Sequence, residues 1–514
     1  MILMKRFIFF LTVLVAALSA QTPGYRELSL KVLHDKIAGG WAGQMIGVSY
    51  GAPTEFRSNG KINESELPKW TPDRVSNSLD QDDLYVDMTF AKVLDDKGLD
   101  ATTTDFGNMF RNAKYNLWHA NLAARRNLRR GVPATETGTP KYNAHADDID
   151  FQIESDFIGL MAPALYQSAS AIAMRAGRVM NYGDGLFGGV FVSCMYSAGF
   201  FENDPRRVVE IGLSCMPAES AYAKLITDVL AWSKQYPDDW KKVWHLVENK
   251  WDKNDPCPEG ALRPFNIDAK LNGAYIALGL LFGKGDFGKT IEIATRSGQD
   301  SDCNPSSAGG ILGVMQGYDR IPEVWKGGIP ALADKKFAYT DFSFHTIVSS
   351  NEKRALALVK QTGGKVEGDK LFVKVQTPKP PKAEAWNFGS VAERINASDT
   401  RWKWSGPWQT SAKEAERRAS AKGAEATISF EGTGAIVVGP YLPTGGKLDA
   451  YLDGKLDRTV DANSDEDQAK SSEALWHTFG LAAGKHTVRI VVRGEPYGAK
   501  GGTDVAIQNL VVYK

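Results

Sequence analysis

The sequence predicts a multidomain protein with an all-α domain over residues 25–340. A small α+β connecting segment over 341–383 and a C-terminal β-sandwich over 384–514 follow. Three observations carry this. From Leu28 to about Lys336 the apolar residues recur with helical period, punctuated by Gly, Pro and Asn-Gly steps, with no strand alternation of any length. The run Thr377-Pro-Lys-Pro-Pro-Lys382 has the composition of a stiff spacer and marks the domain boundary. Beyond it short alternating runs dominate, at Ala426–Glu431, Ala435–Gly439, Lys447–Leu452, Leu475–Phe479, Thr487–Arg493 and Val505–Val512, separated by turns such as Thr444-Gly-Gly446 and Asp453-Gly454. Six such strands in about 130 residues suit a sandwich.

The remaining elements follow in chain order. Residues 1–20 read as a secretory signal: Lys5 and Arg6, an apolar core from Phe7 to Ala17, then the small-residue end Leu18-Ser-Ala20. The expected location is therefore secreted or periplasmic. No later stretch approaches the ~20 apolar residues of a membrane span, so no stable membrane insertion is expected. A first helix near Leu30–Tyr50 carries Gly39, Gly40, Gly43 and Gly47 and stops at Pro53. A second runs from Leu84 to Leu94 and is closed by Gly98. Residues 157–180 form an Ala/Met-rich helical segment, Asn181-Tyr-Gly-Asp184 opens another helix, and one more lies around Ala221–Gln235. Leu371–Val375 alternates as a strand in the connecting segment.

Composition excludes some functions. With 61 basic and 61 acidic residues in 514, no global field is available to hold nucleic acid. The 13 Trp and 17 Tyr suit a ring-stacking ligand such as a carbohydrate. Cys194 and Cys215 lie in apolar segments and read as buried thiols; no CxxC pair points to a structural zinc site.

The chemistry concentrates in acids placed ahead of helices. In Gly298-Gln-Asp-Ser-Asp-Cys-Asn304, Asp300 and Asp302 sit at i and i+2, and Asn304-Pro305 reads as the N-cap and first residue of a Gly-rich helix. Gly309, Gly310, Gly313 and Gly317 each cost up to ~1 kcal/mol relative to Ala, a cost that makes sense where another helix packs very close. Asp80-Gln81-Asp82-Asp83 occupies the start of the second helix in the same way. A single cap needs one acid; clustered acids repel. Two such clusters meeting at helix N-termini would hold a hard cation, Mg²⁺ or Ca²⁺, or supply an acid/base pair for a glycosidic bond.

A third cluster, Asp147-Asp148-Ile-Asp150-Phe-Gln-Ile-Glu154, places acids among apolar residues and reads as partly buried. Asp150, Glu154 and Asp184 are candidates for a glycosidase carboxylate kept protonated by burial. Trp118, His119, Asn121, Asp147 and Asp148 are candidates for substrate contact. In the C-terminal domain Trp402, Trp404, Trp408 and Trp476 read either as a stacking platform or as core, and Asp465-Glu-Asp467 as a Ca²⁺ loop or a solvated one.

The motifs Gly47-Val-Ser-Tyr-Gly-Ala-Pro-Thr-Glu55, Asp80-Gln-Asp-Asp83 and Gly298-Gln-Asp-Ser-Asp-Cys-Asn304 resemble, in order and spacing over about residues 30–330, the ADP-ribosylglycohydrolase family. The resemblance implies an all-α fold in which Gln81, Asp82, Asp83, Asp300 and Asp302 stand at the metal-ligating positions for Mg²⁺ and Glu55 matches the Glu of the first motif. Val48, Gln81 and Cys303 depart from the pattern, standing where the family has Asp, Ser or Thr, and a hydroxyl. A thiol is a poor ligand for a hard cation, which weakens the second ion of the family's pair. The tail resembles the galactose-binding-like sandwiches that accompany secreted glycan-active enzymes. The expected function is thus a secreted glycoside hydrolase with Glu55, Asp150, Glu154, Asp184 and Asp302 as candidate catalytic groups. The alternatives are a Mg-dependent ADP-ribosyl hydrolase and a non-catalytic glycan-binding protein.

Overall fold

In the computed structural model two helices rich in glycine cross at the centre of the N-terminal domain. The structure describes residues 24–253, 255–257, 265–386, 388–411, 416–466, 468–498 and 501–514; the expected signal segment lies outside these. The helices Leu30–Gly51 and Cys303–Gln316 pack backbone to backbone. A Cβ on Gly43 would fall 2.1 Å from the Gly309 carbonyl oxygen, one on Gly47 2.1 Å from that of Pro305, and one on Gly313 2.0 Å from that of Gly39. Only glycine permits this approach, so the lost helix propensity is explained by packing. Both helices are buried on almost every face, with Trp41 and Ile311 fully enclosed.

The other helices surround this pair, among them Asp82–Lys97, His119–Arg129, Asp184–Gly199, Ala221–Gln235, Ala269–Gly283 and Phe344–Gln361. Gly98 closes its helix with φ +86°, as its position predicts. Three expectations need correction. The segment 157–180 is not one helix: Asp156–Leu160 and Tyr166–Gly177 are separated by a turn at Ala162-Pro163-Ala164, with Ala164 at φ +49°. The N-terminal domain is not free of strands, because Tyr25–Ser29 pairs antiparallel with Lys370–Lys374, which pairs with Lys365–Glu367. That pairing ties the connecting segment back to the start of the described chain. Cys194 and Cys215 are not thiols but a disulfide linking the helix Asp184–Gly199 to the end of Pro205–Ser214. Burial in apolar surroundings suits both states, and sequence context alone does not separate them.

The C-terminal domain has two larger antiparallel sheets and a three-stranded one, ordered Val505–Ile507, Arg417–Ala419, Gln409–Thr410, so the single strand expected over Val505–Val512 is divided between Val505–Ile507 and Asn509–Tyr513. Of the larger two, one has the order Lys455–Asp461, Gly446–Leu452, Gly484–Pro496, Glu425–Gly432, Lys403–Ser405; the other Lys470–Thr478, Gly434–Tyr441, Asn509–Tyr513, Val391–Asn396. Ile428, Leu448 and Ile490 of the first meet Ile395, Val437 and Leu510 of the second in a closed core. The strand Gly434–Tyr441 is buried on both faces. Its outward Ile436 and Val438 join Val511, Tyr513, Phe388 and Ala144 of the helical domain, so the four-stranded sheet is the docking face.

Charge completes the docking. Arg130 forks onto Asp461 and Asp465, with Nη2 2.7 Å from Asp461 Oδ1 and Nη1 2.8 Å from Asp465 Oδ2. Arg125 reaches Glu466 at 2.9 Å, and His477 bonds the Pro140 carbonyl at 2.8 Å. Of the acidic loop read as a Ca²⁺ or solvated segment, Asp465 and Glu466 are therefore salt-bridged to the helical domain, and Asp467 lies outside the described residues. Trp402 and Trp476 are core residues, Trp476 donating to Asp457 at 2.7 Å. Trp404 and Trp408 are half-buried against them, so the four do not form an open platform.

Candidate active site

The acidic loop before the Cys303 helix is shaped by two consecutive residues with positive φ, Gly298 (+84°) and Gln299 (+53°). A Cβ at Gly298 would meet the Ser58 carbonyl oxygen at 2.1 Å. The Gln299 backbone takes a hydrogen bond from Phe56 N (3.0 Å) and gives one to Ser58 (3.1 Å), and its side chain accepts from Asn266 N (2.8 Å). These bonds lay residues 55–58 alongside 298–302 and bring Glu55 to the acids. Thr54 and Ser301 close the junction, their hydroxyls 2.8 Å apart.

Asp302, not Asn304, is the N-cap of the helix Cys303–Gln316; its Oδ1 accepts from Cys303 N at 3.0 Å. The helix thus begins two residues earlier than the Asn-Pro step suggests. From the other side Asp82 and Asp83 form the first turn of the helix Asp82–Lys97, capped by Gln81. Asp82, Asp83 and Cys303 each bring a ligand atom within 4.8 Å of the others, and so do Asp300, Asp302 and Cys303. Cys303 belongs to both groups, and its Sγ donates to Asp83 Oδ2 at 3.3 Å.

Asp82, Asp300 and Asp302 lie at the floor of a cavity of about 410 Å³, and Asp83 is buried outside its lining, against Cys303. Burial, then the mutual repulsion of the acids, pushes their protonation upward: Asp82 up to about 6, with Asp83 and Asp300 also raised. Asp302 is raised by burial, with a hydrogen bond from the Asp300 side chain and then its helix-capping bonds opposing. Glu55 is open to solvent at the mouth and enclosed on its inner side. That enclosure, then the charges of Asp302 and Asp82, pushes it up to about 8.

A hard divalent cation fits this floor. Asp83 Oδ1 and Asp300 Oδ1 are buried and have no hydrogen-bond partner, and several like charges out of water need a counter-charge. Gln81 donates through its amide to Asn77 at 3.0 Å and retains its carbonyl oxygen as a ligand atom. Cys303, the thiol among these oxygens, suits such a cation poorly.

The walls are apolar and aromatic. Phe56 stacks on Phe265 with ring centres 4.4 Å apart, and Tyr85, Trp118 and His119 complete the sides. Trp118 is 41% exposed, and Lys470 of the β-sandwich sits over its ring at 5.0 Å. The C-terminal domain thus reaches the rim. Phe56, Tyr85, Phe265 and Lys470 carry no signal in the sequence beyond residue type.

Not every predicted residue reaches this cavity. Asp150, Asn121 and His119 line it. Asp150 accepts from the backbone of Ala120 (3.2 Å) and Asn121 (2.9 Å), capping the helix His119–Arg129 from a distance. Burial pushes it up to about 7, with the His119 imidazole opposing. Glu154 does not line the cavity: it is fully buried behind Asn121, whose side-chain amide donates to it. Asp147 and Asp184 are also elsewhere, on a separate cavity of about 290 Å³ beside Glu384 and Trp386. The backbone turns them away from the floor, where Asp184 takes a hydrogen bond from Tyr222 N at 3.2 Å and both feel the buried Lys270. Asp148 is enclosed next to His145, behind the wall.

A central pair of helices thus carries a floor of paired acids from two helix starts, with a Glu from the turn after the first helix beside it. The sequence matches the ADP-ribosylglycohydrolase family over residues 29–345, and the chain belongs to that family. Among solved structures, an "ADP-ribosylglycohydrolase-related protein complex" is 16% identical with a TM-score of 0.41, covering 63% of this chain and 98% of that one. A family two carbohydrate esterase from Cellvibrio japonicus is 16% identical over 23% of this chain and 32% of its own, TM-score 0.19. A CBM36 carbohydrate-binding module in complex with calcium and xylotriose is 13% identical over 23% of this chain and 98% of its own, TM-score 0.16. No curated protein matches the sequence. Among the described residues no helix is long and apolar enough to cross a membrane.

Proposed function

We infer that the chain is a hydrolase, a reading that its membership of the family supports. We propose that it is an exported glycoside hydrolase that cleaves a glycosidic bond of a glycan or glycoside, with a divalent cation, Mg²⁺ or Ca²⁺, held on the acidic floor. The observation that carries this is the meeting of Asp82, Asp83, Asp300 and Asp302 beneath an aromatic-walled cavity with Glu55 at its mouth. Asp82, Asp83, Asp300, Asp302 and the Gln81 carbonyl would hold the cation, which supplies Lewis acidity toward a sugar hydroxyl or a bound water. Phe56, Phe265 and Trp118 offer ring faces to a sugar and keep water from the bond. Glu55, whose carboxyl is raised by its enclosure and then by Asp302 and Asp82, stands at the mouth, where it would give its proton to the leaving oxygen. Asp150, tied to two backbone N–H groups, holds the start of the helix His119–Arg129 and so fixes the wall. Glu154 acts through Asn121 as a positioning residue. Asp147 and Asp184 have no part in this reading.

The same acidic floor favours, as a second reading, an ADP-ribosyl linkage as the bond cleaved. A panel of aryl glycosides, oligosaccharides and ADP-ribosyl substrates, assayed with and without chelator, tests both. Turnover that needs cation and falls in Glu55→Gln and Asp302→Asn supports hydrolysis, and the substrate turned over selects between the readings. Sugar binding without turnover on any substrate would overturn both in favour of a glycan-binding protein.

A further inference from the structure

Behind the wall of the cavity a second set of donors converges that the acidic floor does not use. His119 heads its helix and lines the cavity. His145 and Asp148 come from the irregular stretch that follows Pro140, and Cys257 comes from a point 109 residues beyond Asp148. Asp148 is the hub. Its Oδ2 lies 3.0 Å from His145 Nδ1 and 3.9 Å from His119 Nδ1, and its Oδ1 lies 3.2 Å from Cys257 Sγ. One ligand atom from each of His119, His145 and Asp148 falls within 4.8 Å of the other two.

We propose that His119, His145, Asp148 and Cys257 form a binding site for a borderline divalent cation of the zinc class, distinct from the hard-cation floor and independent of how that floor is read. The donor chemistry selects the ion: two imidazoles, a thiol and one carboxylate suit zinc, where all-oxygen sites suit magnesium or calcium. The spacing agrees. Tetrahedral bonds of about 2.0–2.3 Å place donors roughly 3.3–3.8 Å apart, and the two imidazoles stand 3.0 and 3.9 Å from one oxygen of Asp148, Oδ2, on either side of that range. Cys257 meets the opposite oxygen of Asp148 and stands outside that group of three, so it would complete the set by turning its side chain toward the imidazoles.

The backbone that carries these donors is braced from outside. Asn143 accepts from His145 N at 2.9 Å while its amide reaches the Ala120 and Met180 carbonyls at 3.0 and 2.9 Å. Asn181 donates to the Asp148 carbonyl at 2.8 Å and to that of Ala146 at 2.9 Å. Glu473 of the β-sandwich lies 4.0 Å from the far nitrogen of His145, where a carboxylate orients a ligating ring. His119 itself adopts φ +47°, a left-handed conformation that side chains other than glycine rarely take. Strain of this kind persists where surroundings over-determine it, and it turns the imidazole to Asp148. Asp148, His145 and Cys257 are all buried, so the site is closed except where His119 meets the cavity.

The test is made on the full-length folded chain, stripped with chelator, dialysed and loaded with Zn²⁺ or Co²⁺ in the presence of excess Mg²⁺. Elemental analysis is expected to give one retained zinc per chain, and the cobalt form a thiolate-to-metal charge-transfer band. Cys257→Ser should remove that band, and His145→Ala or Asp148→Asn should weaken zinc binding by more than about 10-fold, while Cys303→Ser and Asp300→Asn leave the band intact. Absence of stoichiometric zinc in the wild-type chain would overturn the site, and that measurement stands even if a variant fails to fold. So would a band that survives Cys257→Ser, or one that vanishes in Cys303→Ser instead, since the thiol ligand would then belong to the acidic floor.

Discussion

Two regions of this molecule bury several carboxylates, and they treat them in opposite ways. At the domain interface Asp461 and Asp465 are met by Arg130 and Arg126. Burial alone would raise Asp461, but its guanidinium partners more than reverse that and hold it below the usual carboxylate range. In and behind the cavity floor Asp82, Asp83, Asp300 and Asp302 face one another, and no Lys or Arg pairs with them among the described residues. Burial and repulsion push the floor upward. The interface carries its own counter-charges, whereas the floor has none among the described residues, and a cation of the kind proposed would supply them. Position in a fold, not acid count, separates the two.

Breaking the compensated region should show the largest effect. Arg130→Ala leaves Asp461 and Asp465 buried without their main partner and is expected to cost about 3–5 kcal/mol. Chemical unfolding would read this, together with faster proteolysis in the linker around Pro378–Lys382.

The uncompensated region should respond in the opposite sense. Asp300→Asn is expected to lower hydrolysis about 100-fold or more, yet to raise the stability of the cation-free chain by roughly 1–2 kcal/mol by relieving like-charge repulsion. A variant that loses both activity and stability would place Asp300 with the structural acids.

A smaller effect sharpens the interface side. His477, buried against Pro140, is held neutral by burial and then by the Arg458 charge, pushed down to about 3. A depressed folded-state value means that stability is complete above the unfolded value near 6.5 and falls as pH drops toward 3. Between pH 6.5 and 5 the loss is about 2 kcal/mol, measurable as a shift in unfolding midpoint. His477→Gln, which keeps a donor for Pro140 but does not titrate, should flatten that slope.

The helical scaffold and the acidic floor were legible because their signals are local. Glycines at Gly39, Gly43 and Gly47 and at Gly309 and Gly313 announce a close helix pair, and the Asp pairs sit beside helix starts that the apolar period reveals. What stayed hidden depends on long-range direction. Asp184 and Asp147 have the same residue type and flanks as the floor acids, yet their backbone faces Lys270 and a different cavity. The strands Val391–Asn396 and Lys455–Asp461 lie at sheet edges, are mostly polar and show little alternation. Asp465 and Glu466 look solvated in sequence because their arginine partners lie more than 330 residues away. The grouping of Cys257 with His145 and Asp148 is equally non-local, and no CxxC spacing could signal it.

The central proposal is that the acidic floor binds a divalent cation. Thermal unfolding of the chelator-treated chain across a Mg²⁺ and Ca²⁺ titration tests it most directly. The account predicts stabilisation that rises with the logarithm of ion concentration once the site is filled, reaching about 2.7 kcal/mol at 100 times the dissociation constant, and its disappearance in Asp300→Asn. No stabilisation of the wild-type chain by either ion, or the same gain in Asp300→Asn, would contradict it.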